Sequence, residues 1–140
     1  MSKKHILIID DDDDFIYLTR RRLARQAWVA SIDSVPDGRT ALDYFRAILD
    51  RGAEGVASLP NVVLVDINMP GMSGFELLPA LEVLFGDRGV SCPPPILLMA
   101  TSSNLENDRR RAMACPLVTG FLTKPIDAAD LASYVEPRAS

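Results

Sequence analysis

Val62-Val63-Leu64-Val65-Asp66-Ile67-Asn68-Met69-Pro70-Gly71-Met72-Ser73-Gly74 decides the fold. An apolar run ends on one carboxylate, and a loop rich in Pro and Gly follows. An unbroken apolar run of this length reads as a strand buried on both faces, as in a parallel sheet covered by helices. The carboxylate at its end then points out of the sheet's carboxyl edge, where open α/β proteins bind ligands.

The same pattern recurs on either side. His5-Ile6-Leu7-Ile8-Ile9 is a short buried strand that runs into Asp10-Asp11-Asp12-Asp13-Asp14. An acidic run is ordinarily a solvated patch. Here it lies between a buried strand and an amphipathic helix, so it reads as a βα turn. Asp10 and Asp11 end the strand, and Asp13 or Asp14 is expected to cap the helix. That helix is expected from about Phe15 to Ala27, with Arg20, Arg21, Arg22 and Arg25 on a solvated face that partly balances the aspartates. Trp28 to Val35 reads as an edge strand. Asp37 caps a helix whose buried stripe is Ala41, Leu42, Phe45, Ile48 and Leu49. Residues 51–60 read as a loop.

After the Asp66 loop, Ser73 and Glu76 have capping-box spacing and open a helix with Leu77, Leu78, Leu81, Leu84 and Phe85 inward. Pro79 removes a backbone donor there and is expected to bend it. Ile96 to Ala100 is a fourth strand, ended by Thr101-Ser102-Ser103. Ser103 and Glu106 again have capping-box spacing, for a helix to about Ala114. Gly120-Phe121-Leu122-Thr123 is a fifth strand ending at Lys124-Pro125. Asp127 caps a last helix with Leu131, Tyr134 and Val135 inward.

Five βα units predict an α/β fold: a flavodoxin-like, doubly wound, five-stranded parallel sheet of order 2-1-3-4-5 with helices on both faces. In that order the end of strand 1 (Asp10, Asp11) adjoins the end of strand 3 (Asp66), with Thr101 and Lys124 following on strands 4 and 5. Three carboxylates, a hydroxyl and an ammonium thus gather at one rim.

The bulk numbers agree with a small globular protein. The chain has 140 residues, 48% of them hydrophobic, and is expected to form a single domain over 1–140 without an output domain. A net charge of −4 gives nucleic acid no obvious purchase. Cys92 and Cys115 lack paired metal spacing and read as free thiols. With no signal peptide and no apolar run near ~18 residues, a cytoplasmic protein that does not span a membrane is expected.

Crowded carboxylates do not all ionise at neutral pH without a cation. Asp10, Asp11 and Asp66, with the backbone carbonyl of Asn68 as a further ligand, suit Mg²⁺, and Mn²⁺ in its place. Zinc is disfavoured, since the one histidine, His5, starts strand 1 at the opposite edge. An aspartate in such a site can attack a phosphoryl group and become an aspartyl phosphate. Lys124 would meet one phosphoryl oxygen and Thr101 another, and rotation of Thr101 would carry the event into strand 4.

At this point the sequence resembles the receiver domain of bacterial two-component response regulators, over essentially its whole length. The resemblance rests on Ile6 to Asp12, Asp37-Gly38 before Ala41-Leu42, Leu64 to Gly74, Met99-Ala100-Thr101-Ser102, and Phe121-Leu122-Thr123-Lys124-Pro125. It is closest in kind to stand-alone, chemotaxis-regulator-like receivers, some of which serve phytochrome-like kinases. The resemblance implies that Asp66 is the phosphoacceptor, that Asp10 and Asp11 bind Mg²⁺, and that Lys124 contacts the phosphate. Thr101 is implied as the switch hydroxyl, Phe121 as the aromatic coupled to it, and Lys124-Pro125 as a cis bond. The implied partners are a sensor histidine kinase or histidine phosphotransfer protein, a target protein on the fourth helix, fifth strand and fifth helix, and in some cases a second copy. Cys115-Pro116-Leu117 replaces the usual Ala-Gly-Ala-like stretch, and the loops at 51–60 and 86–94 are long.

Three readings compete. One is a phosphorylation-controlled interaction module, or its phosphorelay variant, with self-phosphorylation and slow autodephosphorylation as its only reactions. Another is a Mg²⁺-dependent aspartyl-phosphate phosphatase, which would want an acid where Asn68 stands, and a cap insertion. The last is a receiver that is never phosphorylated, against which the complete set of Asp10, Asp11, Asp66, Thr101 and Lys124 counts.

Overall fold

The computed structural model describes residues 3–90, 93–94, 96–102 and 106–135. Five strands, β1 (Lys4–Ile9), β2 (Val29–Val35), β3 (Val62–Asp66), β4 (Ile96–Thr101) and β5 (Gly120–Thr123), form one sheet of order β2-β1-β3-β4-β5. Every pairing is parallel. This is the predicted flavodoxin-like sheet.

Strand alternation divides the core between its two faces. Leu7, Ile9, Val63, Val65, Leu97 and Met99 join one buried cluster with residues of α2 (Gly38–Leu49) and α4 (Gly74–Asp87). Ile6, Ile8, Leu64, Leu98, Ala100 and Leu122 join the other with residues of α1 (Asp13–Leu23) and α6 (Ala128–Val135). α5 (Glu106–Met113) places Ala112 in the first cluster. β3 is buried at all five positions, as its unbroken apolar run requires.

Three predicted caps form as expected. The Asp37 carboxylate accepts the Thr40 amide at 2.7 Å, and Ser73 and Glu76 complete a capping box. Asp127 accepts the Ala129 amide ahead of α6. α4 runs through Pro79, which is exposed, without interruption. The Ser103 cap lies outside the described residues, as does Cys92. The Lys124-Pro125 bond is cis.

Three local expectations are corrected. α1 is capped by Asp12, not by Asp13 or Asp14. Asp12 keeps an extended backbone, and its carboxylate reaches the amides of Asp14 and Phe15. The helix therefore begins at Asp13 and ends at Leu23, short of Ala27, because a turn from Leu23 to Gln26 redirects the chain into β2. Residues 51–60 are not all loop: they contain α3 (Ala53–Ala57), with Val56 packed on the first cluster and Leu59 buried in it. The arginine face is not wholly solvated. Arg20 donates to the Ile32 carbonyl at 2.6 Å and to Ser34 Oγ at 3.1 Å, and Arg22 to the Ile126 carbonyl at 3.3 Å.

Candidate functional site

Alternation places the site as it places the core. Asp10 continues the series Ile6-Ile8, Asp66 the series Val62-Leu64, and Lys124 follows Leu122 by two. All of those apolar residues lie in the cluster shared with α1 and α6. The strand ends thus deliver two carboxylates and an ammonium to one side of one edge. Asp10 is 1% exposed and Asp66 6%.

The ammonium sits between the two acids. Lys124 Nζ is 2.6 Å from Asp10 Oδ2 and 3.3 Å from Asp66 Oδ1, and 4.2 Å from the centre of the Phe15 ring. The other oxygen of Asp10 accepts the Asp12 amide at 2.9 Å. Asp11 is exposed. One oxygen each from Asp10, Asp11 and Asp66 can lie within 4.8 Å of one another.

Charge in this cluster is unbalanced, with three carboxylates against one ammonium. Burial pushes the Asp66 carboxyl up to about 6, and the Asp10 charge pushes the same way; Lys124 and the Asn68 amide pull back. A buried carboxyl whose charged form is disfavoured by burial and by a neighbouring acid fits a divalent cation, since hard oxygen donors are what such an ion takes. The acidic pocket is therefore compatible with metal binding.

Thr101 and Phe121 lie on the other side of the sheet. Thr101 is fully buried and follows Met99 by two, and Phe121 pairs with Met99 in register. Phe121 is half-buried against the first cluster. The Thr101 carbonyl accepts the Lys124 amide at 2.7 Å, so the backbone joins the two residues directly. Asn68 is exposed in the loop after β3.

That loop is shaped by two glycines. Gly71 has a φ of +79°, in the left-handed region that a side chain disfavours. Gly74 lies so close to the strand that a Cβ would run into the Asp66 carbonyl oxygen, and its amide donates to the Ile67 carbonyl at 2.8 Å. α4 thus starts against the backbone of Asp66. The sequence places Phe15 only at the start of a helix. Its spacing carries no signal for a lysine 109 positions away.

Comparison with known proteins agrees with this geometry. The model of the response regulator receiver domain matches residues 6–136. The chain is 33% identical over 131 residues to a probable methanogenesis regulatory protein, FilR2, of Methanothrix harundinacea, covering 94% of this chain and 78% of that one. It spans 58% of a second relative, a two-component response regulator of Arabidopsis thaliana. Among solved structures it resembles a two-component response regulator from Cytophaga hutchinsonii, with a TM-score of 0.83, 27% identity and 96% of each chain covered. It also resembles the bacteriophytochrome response regulator AtBRR, with a TM-score of 0.72, 25% identity and coverage of 96% and 91%. Fold, strand-end chemistry and sequence agree on one assignment: the chain belongs to the response regulator receiver domain family, the signalling domains of two-component phosphorelays.

Proposed function

We propose that Asp66 accepts a phosphoryl group from a phosphohistidine donor, a sensor histidine kinase or a histidine phosphotransfer protein, and that the modified domain signals by protein–protein contact. The observation that carries this reading is the placement of Lys124 between Asp10 and Asp66, the latter ending a wholly buried strand. An Asp66 oxygen attacks phosphorus. The bond from phosphorus to the donor's imidazole nitrogen breaks, and that nitrogen keeps the electron pair. Asp10, Asp11, Asp66 and the Asn68 carbonyl would hold Mg²⁺, with Mn²⁺ an alternative. A bound ion neutralises the charge on the phosphoryl oxygens.

Lys124 exchanges its contact with Asp66 for one with a phosphoryl oxygen. The Thr101 hydroxyl donates to another, and the face it shares with Met99 and Phe121 rearranges. The surface of α5, β5 and α6 would meet the target, because β5 carries both Phe121 and, at its end, Lys124. The reaction is stoichiometric rather than a turnover of substrate. Incubation with Mg²⁺ and acetyl phosphate is expected to add one phosphoryl mass to the wild-type protein and none to Asp66→Asn. A phosphorylated Asp66→Asn protein would sink the assignment.

A further inference from the structure

We infer that Phe15 is a positioning residue for Lys124: its ring holds the ammonium over the Asp10–Asp66 pair, ready to meet a phosphoryl oxygen. This rests on the reading of Lys124 as the phosphate contact. Phe15 is 9% exposed, and its ring centre lies 4.2 Å from Lys124 Nζ. A closed circuit of contacts holds that ring in place. Asp10 takes Lys124 on one oxygen and the Asp12 amide on the other. The Asp12 carboxylate takes the Phe15 amide at 3.2 Å, fixing the first turn of α1. Phe15 then returns to Lys124 through its ring.

The chemistry suits the task. An ammonium has three N–H donors. Asp10 and Asp66 engage it, and the ring attracts it from a third direction through its negative face. A third carboxylate there would add negative charge where a phosphoryl group must arrive. A π face attracts the cation without adding net charge, and its apolar body keeps water off. When Lys124 turns from Asp66 to a phosphoryl oxygen, the ring is the contact that need not break.

The test replaces Phe15 with mono-, di- and trifluorinated phenylalanine in the full chain. Fluorine drains the ring's negative face while nearly conserving its shape. Two readouts are taken: the initial rate of Asp66 phosphorylation at saturating Mg²⁺ and acetyl phosphate, and the ¹³Cε shift of Lys124. The rate is expected to fall stepwise, by roughly three- to tenfold across the series. The shift should move in step and the melting temperature should stay constant. Phe15→Leu should lie at or below the trifluorinated protein. A shift that moves while the rate does not overturns the inference, as does a series in which neither moves. If the wild-type protein takes no phosphoryl group at all, the parent reading falls and takes this one with it.

Discussion

Asp10 and Lys124 lie 114 positions apart in sequence and 2.6 Å apart in space, and their contact closes the site that Asp66 completes at 3.3 Å. Both partners are enclosed. The Asp10 carboxylate is almost wholly enclosed, and the Lys124 side chain is 15% exposed.

Lys124→Ala therefore strands two buried acids. Breaking a buried pair by removing one partner typically costs about 3–5 kcal/mol, and the partly open edge here favours the lower end. Thermal melts in chelator should show a marked loss of stability for Lys124→Ala, largely reversed by Mg²⁺. Mg²⁺ affinity should survive, while the structural response to phosphorylation weakens. Loss of Mg²⁺ binding in this variant would mean that the roles are divided wrongly.

The raised Asp66 carboxyl makes metal-free stability depend on pH. In the unfolded chain it titrates near 3.8, and in the folded protein near 6. Between those values the native state binds more protons, so stability falls as pH rises through that window. The loss is at most about 3 kcal/mol, the free-energy equivalent of that shift. Denaturant titrations from pH 4 to pH 7 in chelator should show this decline. Asp66→Asn should flatten it and be the more stable protein at pH 7.

Gly74→Ala tests the contact between α4 and the Asp66 backbone. A methyl group there meets the Asp66 carbonyl oxygen and the Met99 side chain. Overpacking of this kind costs roughly 1–3 kcal/mol. A lower melting temperature together with slower phosphorylation is expected. An unchanged rate would show that the start of α4 does not set the position of Asp66.

Arg20 covers an outward carbonyl of the edge strand, Ile32, and also holds Ser34. Uncovered strand edges invite pairing between molecules. Arg20→Ala should cost about 1.5–3 kcal/mol, the range for hydrogen bonds from a charged donor. It should also raise concentration-dependent association, measured by sedimentation. A variant that stays as monodisperse as the wild type removes the edge-guard role.

Much of this was legible in the chain because its causes are local. Apolar runs marked β1, β3, β4 and β5, the less apolar 28–35 stretch marked the edge strand β2, and a carboxylate, a hydroxyl-bearing residue or a lysine at the end of the other four marked the carboxyl edge. Asp37 and Ser73 announced helix starts by spacing alone. The errors were also local. Any of several consecutive aspartates could cap α1, and only the backbone angle at Asp12 selects among them. The single turn of α3 is too short for periodicity to reveal.

The sequence by itself determined the βα repeat, which the crossover rule narrows to few sheet orders, the common 2-1-3-4-5 among them, and from that order which strand ends are neighbours. These depend on hydrophobic period and chirality, which each segment carries with it. Only the tertiary structure decided which side chains touch. Strand alternation set Asp10, Asp66 and Lys124 on the side of α1 and α6, the cap at Asp12 brought Phe15 under the ammonium, and Arg20 turned from solvent to the β2 edge. Such contacts join positions far apart along the chain, where local propensity has no reach. Asp66 is at a strand end by sequence; the burial and the Asp10 charge that raise its carboxyl are properties of the fold.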